Sequence, residues 1–138
     1  MAIWQFQCNI IPFRKNFHEL SRDEKISWKG VPCPSCEITF LTKEKSWSKD
    51  IVQYGKIEET NIEFVYVDGV LVEIICRLDL RNLTKRTLVL LIKYAKQNNA
   101  MFLVEDIIYP PGVEAMLEVM KRSDANKYCK SPLEYFRF

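Results

Sequence analysis

Cys33 and Cys36 enclose Pro34-Ser35, and this run is the only short stretch of the 138-residue chain whose residue types and spacing match a known chemistry. A Cys-x-x-Cys pair can supply half of a tetrahedral thiolate site for zinc, or it can exchange a disulfide. The zinc reading needs two more ligands. Cys8, His18, Cys76 and Cys129 are scattered along the chain, and Cys8 and Cys76 fall at core positions of alternating apolar segments. The simplest reading is a proline-stiffened turn carrying two ordinary thiols, because a motif without its structural context is only a hypothesis. No metal or other cofactor is therefore expected.

Other chemistry is harder to assemble. His18 is the single histidine, and it sits between Phe17 and Glu19 with no partner that sequence identifies. A surface histidine is the expectation. Glu58-Glu59 reads as a solvated turn before a strand. Asp79 lies between Arg77 and Arg81, where an ion pair is expected rather than a catalytic acid. The chain has no P-loop, no dinucleotide fingerprint, no G-x-S-x-G and no H-E-x-x-H, and its four glycines leave little for a phosphate cradle. It is not expected to be an enzyme.

The elements that would position these residues centre on Asn61 to Leu80. Asp68-Gly69 predicts a type I′ hairpin turn, which requires positive φ at both central residues. After it, Val70, Val72, Ile74, Cys76, Leu78 and Leu80 share one face of a strand. Trp4, Phe6, Cys8 and Ile10 alternate with polar residues as a half-buried strand ended by Pro12. Ser21 and Glu24 form a capping box for a short helix over 22–29, with Gly30 beyond its end. Residues 31–50 are irregular, with Phe40 and Trp47 expected to pin them to the core, and 51–57 lead into the hairpin. Thr84 caps a helix whose stripe is Leu88, Leu91, Ile92 and Ala95, and Asn98-Asn99 closes it. Met101 to Val104 reads as a strand. A last helix carries Val113, Met116, Leu117 and Met120, and is expected beside the 84–97 helix, covering Val89 and Leu90. The aromatic tail Leu133–Phe138 is expected to dock.

This pattern predicts a single α+β domain over 1–138, with a mainly antiparallel sheet. The order is ferredoxin-like βαββαβ, strands 4-1-3-2 in space with both helices on one face, plus a C-terminal helix. Length suffices for a core without staples. Net charge is +2, so no global field favours nucleic acid or acidic lipid. The hairpin's second arm has no aromatic on its polar face, which argues against base stacking of the RRM kind. No apolar run spans a membrane. The N-terminus lacks the features of a signal peptide, so a cytosolic protein with reduced thiols is expected, and the odd count of five cysteines argues against a closed disulfide framework.

Two resemblances bear on function. Cys33-Pro34-Ser35-Cys36 resembles the glutaredoxin motif, which implies Cys33 as nucleophilic and Cys36 as resolving thiol. In that family the motif lies between a first strand and a helix, and a later cis-proline loop follows; neither is visible here. The segments IWQFQCNIIP, RLDLRNLT and the close SDANKY…SPLEYF together resemble small bacterial immunity proteins, the inhibitors encoded beside interbacterial toxins. That resemblance implies a non-enzymatic protein that binds a protein partner; it identifies no toxin and carries over no functional residue. The contact surface expected from the residues is the acidic stretch Glu58, Glu59, Glu63, Asp68 and Glu73 with Tyr54 and Tyr66, since a carboxylate patch can steer a basic partner. A sheet edge protected by charge explains the same residues. The alternative function is a thiol-redox or zinc-binding protein that uses Cys33 and Cys36.

Overall fold

The computed structural model describes residues 1–14 and 26–129. Among these, seven strands and three helices form an α+β domain. The strands are β1 (Gln5–Pro12), β2 (Lys43–Glu44), β3 (Ile51–Tyr54), β4 (Asn61–Val67), β5 (Val70–Asp79), β6 (Ala100–Val104) and β7 (Ile107–Tyr109). The helices are α1 (Lys85–Gln97) after β5, then α2 (Val113–Lys121) and α3 (Asp124–Tyr128) after β7. They build one sheet in the order β2-β3-β4-β5-β1-β6-β7, with every neighbouring pair antiparallel.

Alternation along the strands sets the two faces of this sheet. Phe6, Cys8 and Ile10 of β1, Ile62 and Phe64 of β4, Ile74, Cys76 and Leu78 of β5 and Phe102 of β6 form one buried cluster. Leu88, Leu91, Ile92 and Ala95 of α1 and Met116, Val119 and Met120 of α2 complete it. The opposite face holds a small apolar cluster of Ile11, Met101 and Ile108. Beside it Asn61, Arg77 and Gln7 stand in one cross-strand row.

β4 and β5 are joined through Asp68 and Gly69, both with positive φ (51° and 77°), and Val67 faces Val70 across the turn. The expected alternation of β5 breaks near that turn. Val65 faces Glu73 but Tyr66 faces Leu71, so Val72 is an extra, bulged residue. One extra residue reverses the parity of everything beyond it. Leu71 therefore enters the core, whereas Val70 is exposed and Val72 only half-buried. Trp28 occupies the bulged residue's free carbonyl: its backbone N–H donates to Val72 O (3.1 Å), while its indole Nε1–H donates to Ile10 O (2.8 Å).

Several expectations change. The segment 26–29 is a bend rather than the end of a helix, because Trp28 commits its donors to β5 and β1; Ser21 and Glu24 lie outside the described residues. The sheet has more strands than expected, since β2 and β3 precede β4 and β7 follows β6. Ile38 and Phe40 pin the 31–50 segment, but Trp47 is 74% exposed. Val89 is likewise exposed, so the neighbouring helix does not cover it. Thr84 caps α1 by accepting from the Thr87 N–H (3.1 Å), and Asn99 closes it at φ 52°. The tail from residue 130 lies outside the described residues.

Candidate functional site

β1 is paired on both sides only along part of its length. Gln5 to Asn9 face β5, whereas β6 pairs only with Asn9 to Pro12. β6 then ends at Val104, and the chain turns away through Glu105 and Asp106 into β7. Glu105 makes this turn at φ 55°, uncommon for a glutamate. Among the described residues, the turn leaves the first half of β1 with an open side. A cleft of about 700 Å³ lies there, lined among others by Ile3, Gln7, Val104, Ile107, Tyr109 and Arg122.

Antiparallel strands direct successive backbone groups to alternate sides. The Leu80 N–H donates to Trp4 O (3.1 Å), so Trp4, Phe6 and Cys8 direct their N–H and C=O toward β5. Gln5, Gln7 and Asn9 direct theirs the other way. Asn9 meets β6, and the Gln5 N–H is taken by Ala2 O (3.0 Å) in the N-terminal turn. The Gln7 N–H and C=O are thus aimed into the cleft. Around its mouth Met1, Ile3 and Ile107 are exposed apolar side chains. The N-terminal turn that shapes this wall is fastened twice by Gln5. Its Oε1 accepts from the Ala2 N–H (2.8 Å), and its Nε2–H donates to Ile57 O and Glu59 O (2.9 and 2.8 Å).

The seven acidic and tyrosine residues expected to form a contact surface are not brought together. Tyr54 is buried, donates from its hydroxyl to Cys36 O (3.2 Å) and meets Phe64 edge-on at 6.1 Å. Tyr66 is half-buried on the same, helix-covered side, and burial raises its phenol well above the ordinary range. Glu63 is buried on the opposite face, where it pairs with Arg77. Glu73, on that face too, accepts from Asn9 Nδ2 (2.8 Å). Glu58 and Glu59 are exposed beyond one end of β4, and Asp68 beyond the other, about 20 Å away along the strand. Closeness in sequence misled because a strand sends neighbours to opposite faces.

Cys33 and Cys36 lie on a loop outside any helix or strand. The loop is held at three points. The Tyr94 hydroxyl donates to Ser35 O, Tyr54 to Cys36 O, and the Ser35 N–H to Asn98 Oδ1 (2.7 Å). Both thiols donate to one acceptor, Pro34 O, at 3.5 and 3.6 Å. Cys33 is exposed and Cys36 half-buried. Burial pushes the Cys36 thiol up, and the neighbouring Cys33 adds to this, against the bond from Tyr66. Among the described residues no three His, Cys, Asp or Glu side chains gather to hold a metal ion. Cys8 and Cys76 face each other directly across β1 and β5 in the core, and their mutual hydrogen bond, with burial, raises the Cys8 thiol. His18 lies outside the described residues. The open side of β1 carries no sequence signal, since it depends on where β6 turns away.

Comparison with protein-family models, with curated proteins and with solved structures finds no match to this chain. No helix among the described residues is long and apolar enough to cross a membrane.

Proposed function

We propose that this chain is a non-enzymatic protein-binding protein that receives an extended segment of its partner along the open side of β1. The observation that carries the reading is the direction of the Gln7 N–H and C=O into a cleft with apolar residues at its mouth. A strand added there completes main-chain pairing, and side pockets supply specificity. The four central strands, in the order β6-β1-β5-β4, support reading the sheet as an elaborated ferredoxin-like one. An inhibitor of the immunity type, acting in the cytosol on a protein toxin, is the form of this function that the sequence resemblance favours. Nucleic acid and membrane are not part of it.

The test is selection of peptides from a displayed library on the immobilised protein, followed by two variants. Gln7→Pro deletes the donor aimed into the cleft and no backbone bond to β5, although it also removes the side-chain bond from Arg77 Nε (3.4 Å); Ile107→Lys places a charge at the mouth without touching β1. Selected extended peptides should lose affinity for both variants, with far-UV circular dichroism unchanged. Retained affinity in both folded variants would move the binding site elsewhere. Survival of cells that co-express this chain with the product of the adjacent reading frame tests the immunity form.

A further inference from the structure

The thiol loop is separate from the β1 cleft and carries its own chemistry. Both sulfurs reach one carbonyl oxygen, Pro34 O, at 3.5 and 3.6 Å, so a single acceptor gathers them. The backbone between them is fixed from outside by Tyr54, Tyr94 and Asn98, through groups that do not involve either sulfur. Cys33 is exposed and Cys36 half-buried. An accessible thiol beside a second, sheltered one is the arrangement in which a first oxidation at the surface is captured within the molecule.

We propose that Cys33 and Cys36 form a redox-modifiable dithiol that closes to an intramolecular disulfide on reaction with a low-molecular-weight disulfide such as oxidised glutathione. The Cys33 thiolate attacks one sulfur of the small disulfide. A mixed disulfide forms at Cys33 and one small thiolate leaves. Cys36 then loses its proton to solvent and attacks the Cys33 sulfur, expelling the second small thiolate. The protein dithiol is oxidised by two electrons, and the small disulfide is reduced to two thiols once the leaving thiolates take up the two protons. The order of attack follows from exposure: Cys33 is open to a bimolecular collision, and Cys36 needs only an intramolecular one. The raised Cys36 thiol is consistent with its acting second.

The full chain, reduced and then incubated with oxidised glutathione at pH 8, tests this by intact mass and peptide mapping. Wild type should lose two hydrogens and yield a peptide linked between Cys33 and Cys36. Cys36→Ser should stop at one glutathionyl group on Cys33, and Cys129→Ser should react as wild type does. Adding dithiothreitol should restore both thiols. The proposal fails if wild type keeps both thiols open to alkylation. It fails equally if Cys33 collects glutathione and never closes onto Cys36. Neither result bears on peptide binding at β1.

Discussion

Arg81 lies over the Trp4 ring, with its guanidinium carbon 3.9 Å from the ring centroid, while it grips Asp79 through two parallel N–H···O bonds of 3.0 Å. The same stretch of chain holds the loop before β4: Trp4 Nε1–H donates to Glu58 O (2.8 Å) and the Asp79 N–H to Thr60 Oγ1 (3.0 Å). Three separate segments thus meet at one corner of the sheet. The ion pair expected at Asp79 is made with Arg81, whereas Arg77 pairs with Glu63.

That corner should make stability fall in acid. Burial alone would raise the Asp79 carboxyl, but the Arg81 side chain and backbone and Asn82 outweigh it, and the group is lowered. A lowered folded-state value means its contribution is full above the unfolded value of about 4 and is lost as pH falls through the folded one. Urea midpoints measured from pH 6 down to pH 2 should decline below about pH 4. Asp79→Asn should be less stable at pH 6 and show a shallower decline. Equal slopes for the two proteins would assign the acid sensitivity to another carboxylate.

Gly55 should be far less replaceable than Gly69, although both have positive φ (81° and 77°). A Cβ on Gly55 would meet Thr60 O at 2.1 Å and Asn61 Cα at 3.0 Å, whereas one on Gly69 meets nothing within 4 Å. Gly69→Val should therefore cost only the left-handed penalty of roughly 1–2 kcal/mol. Gly55→Ala should cost that and the displacement of the Thr60 backbone, roughly 3 kcal/mol or more. Chemical denaturation of both variants gives the comparison, and equal losses would contradict it.

What could be read in the sequence was local. Asp68-Gly69, the Leu88 to Ala95 stripe and the Thr84 cap each state their geometry within a few residues, and each stands in the structure. What could not be read depends on distant partners. The bulged Val72 is bonded by Trp28, which arrives from another segment. The β6–β7 turn uses Glu105-Asp106, where no glycine or asparagine advertises positive φ. The cleft inherits both difficulties, since it is a gap left by β6 rather than a motif. The thiol pair was visible, but the side chains that hold its loop come from β3, α1 and the residue after it.

Glu63 should behave as a structural residue. It is buried, and Arg77 is shared between it, Asn61 Oδ1 (3.1 Å) and Gln7 Oε1 (3.4 Å). Removing one partner of a buried pair strands the other charge, so Glu63→Ala should cost about 3 kcal/mol. Glu63→Ala with Arg77→Met should recover part of that loss, measured as a coupling energy in a double-mutant cycle. A loss for Glu63→Ala within experimental error of zero would mean that Arg77 finds sufficient partners without it.

The thermodynamics of partner binding should distinguish the β1 cleft from an acidic docking surface. Glu58 and Glu59 remain the one adjacent pair of exposed acids in the stretch, at the end of the sheet beyond β4. If they steered a basic partner, Glu58→Lys/Glu59→Lys would slow association several-fold, and salt would slow wild type in the same way. Strand addition at Gln7 works through neutral backbone bonds and apolar contact, neither of which salt screens appreciably. Association rates should therefore change less than about twofold in the double reversal and across 50–500 mM salt. Gln7→Pro should act mainly on dissociation, because the lost bond forms only after docking. Surface plasmon resonance with a selected peptide or a co-expressed partner reads both quantities. A steep salt dependence with an unaffected Gln7→Pro variant would return the interface to the acids and remove it from β1.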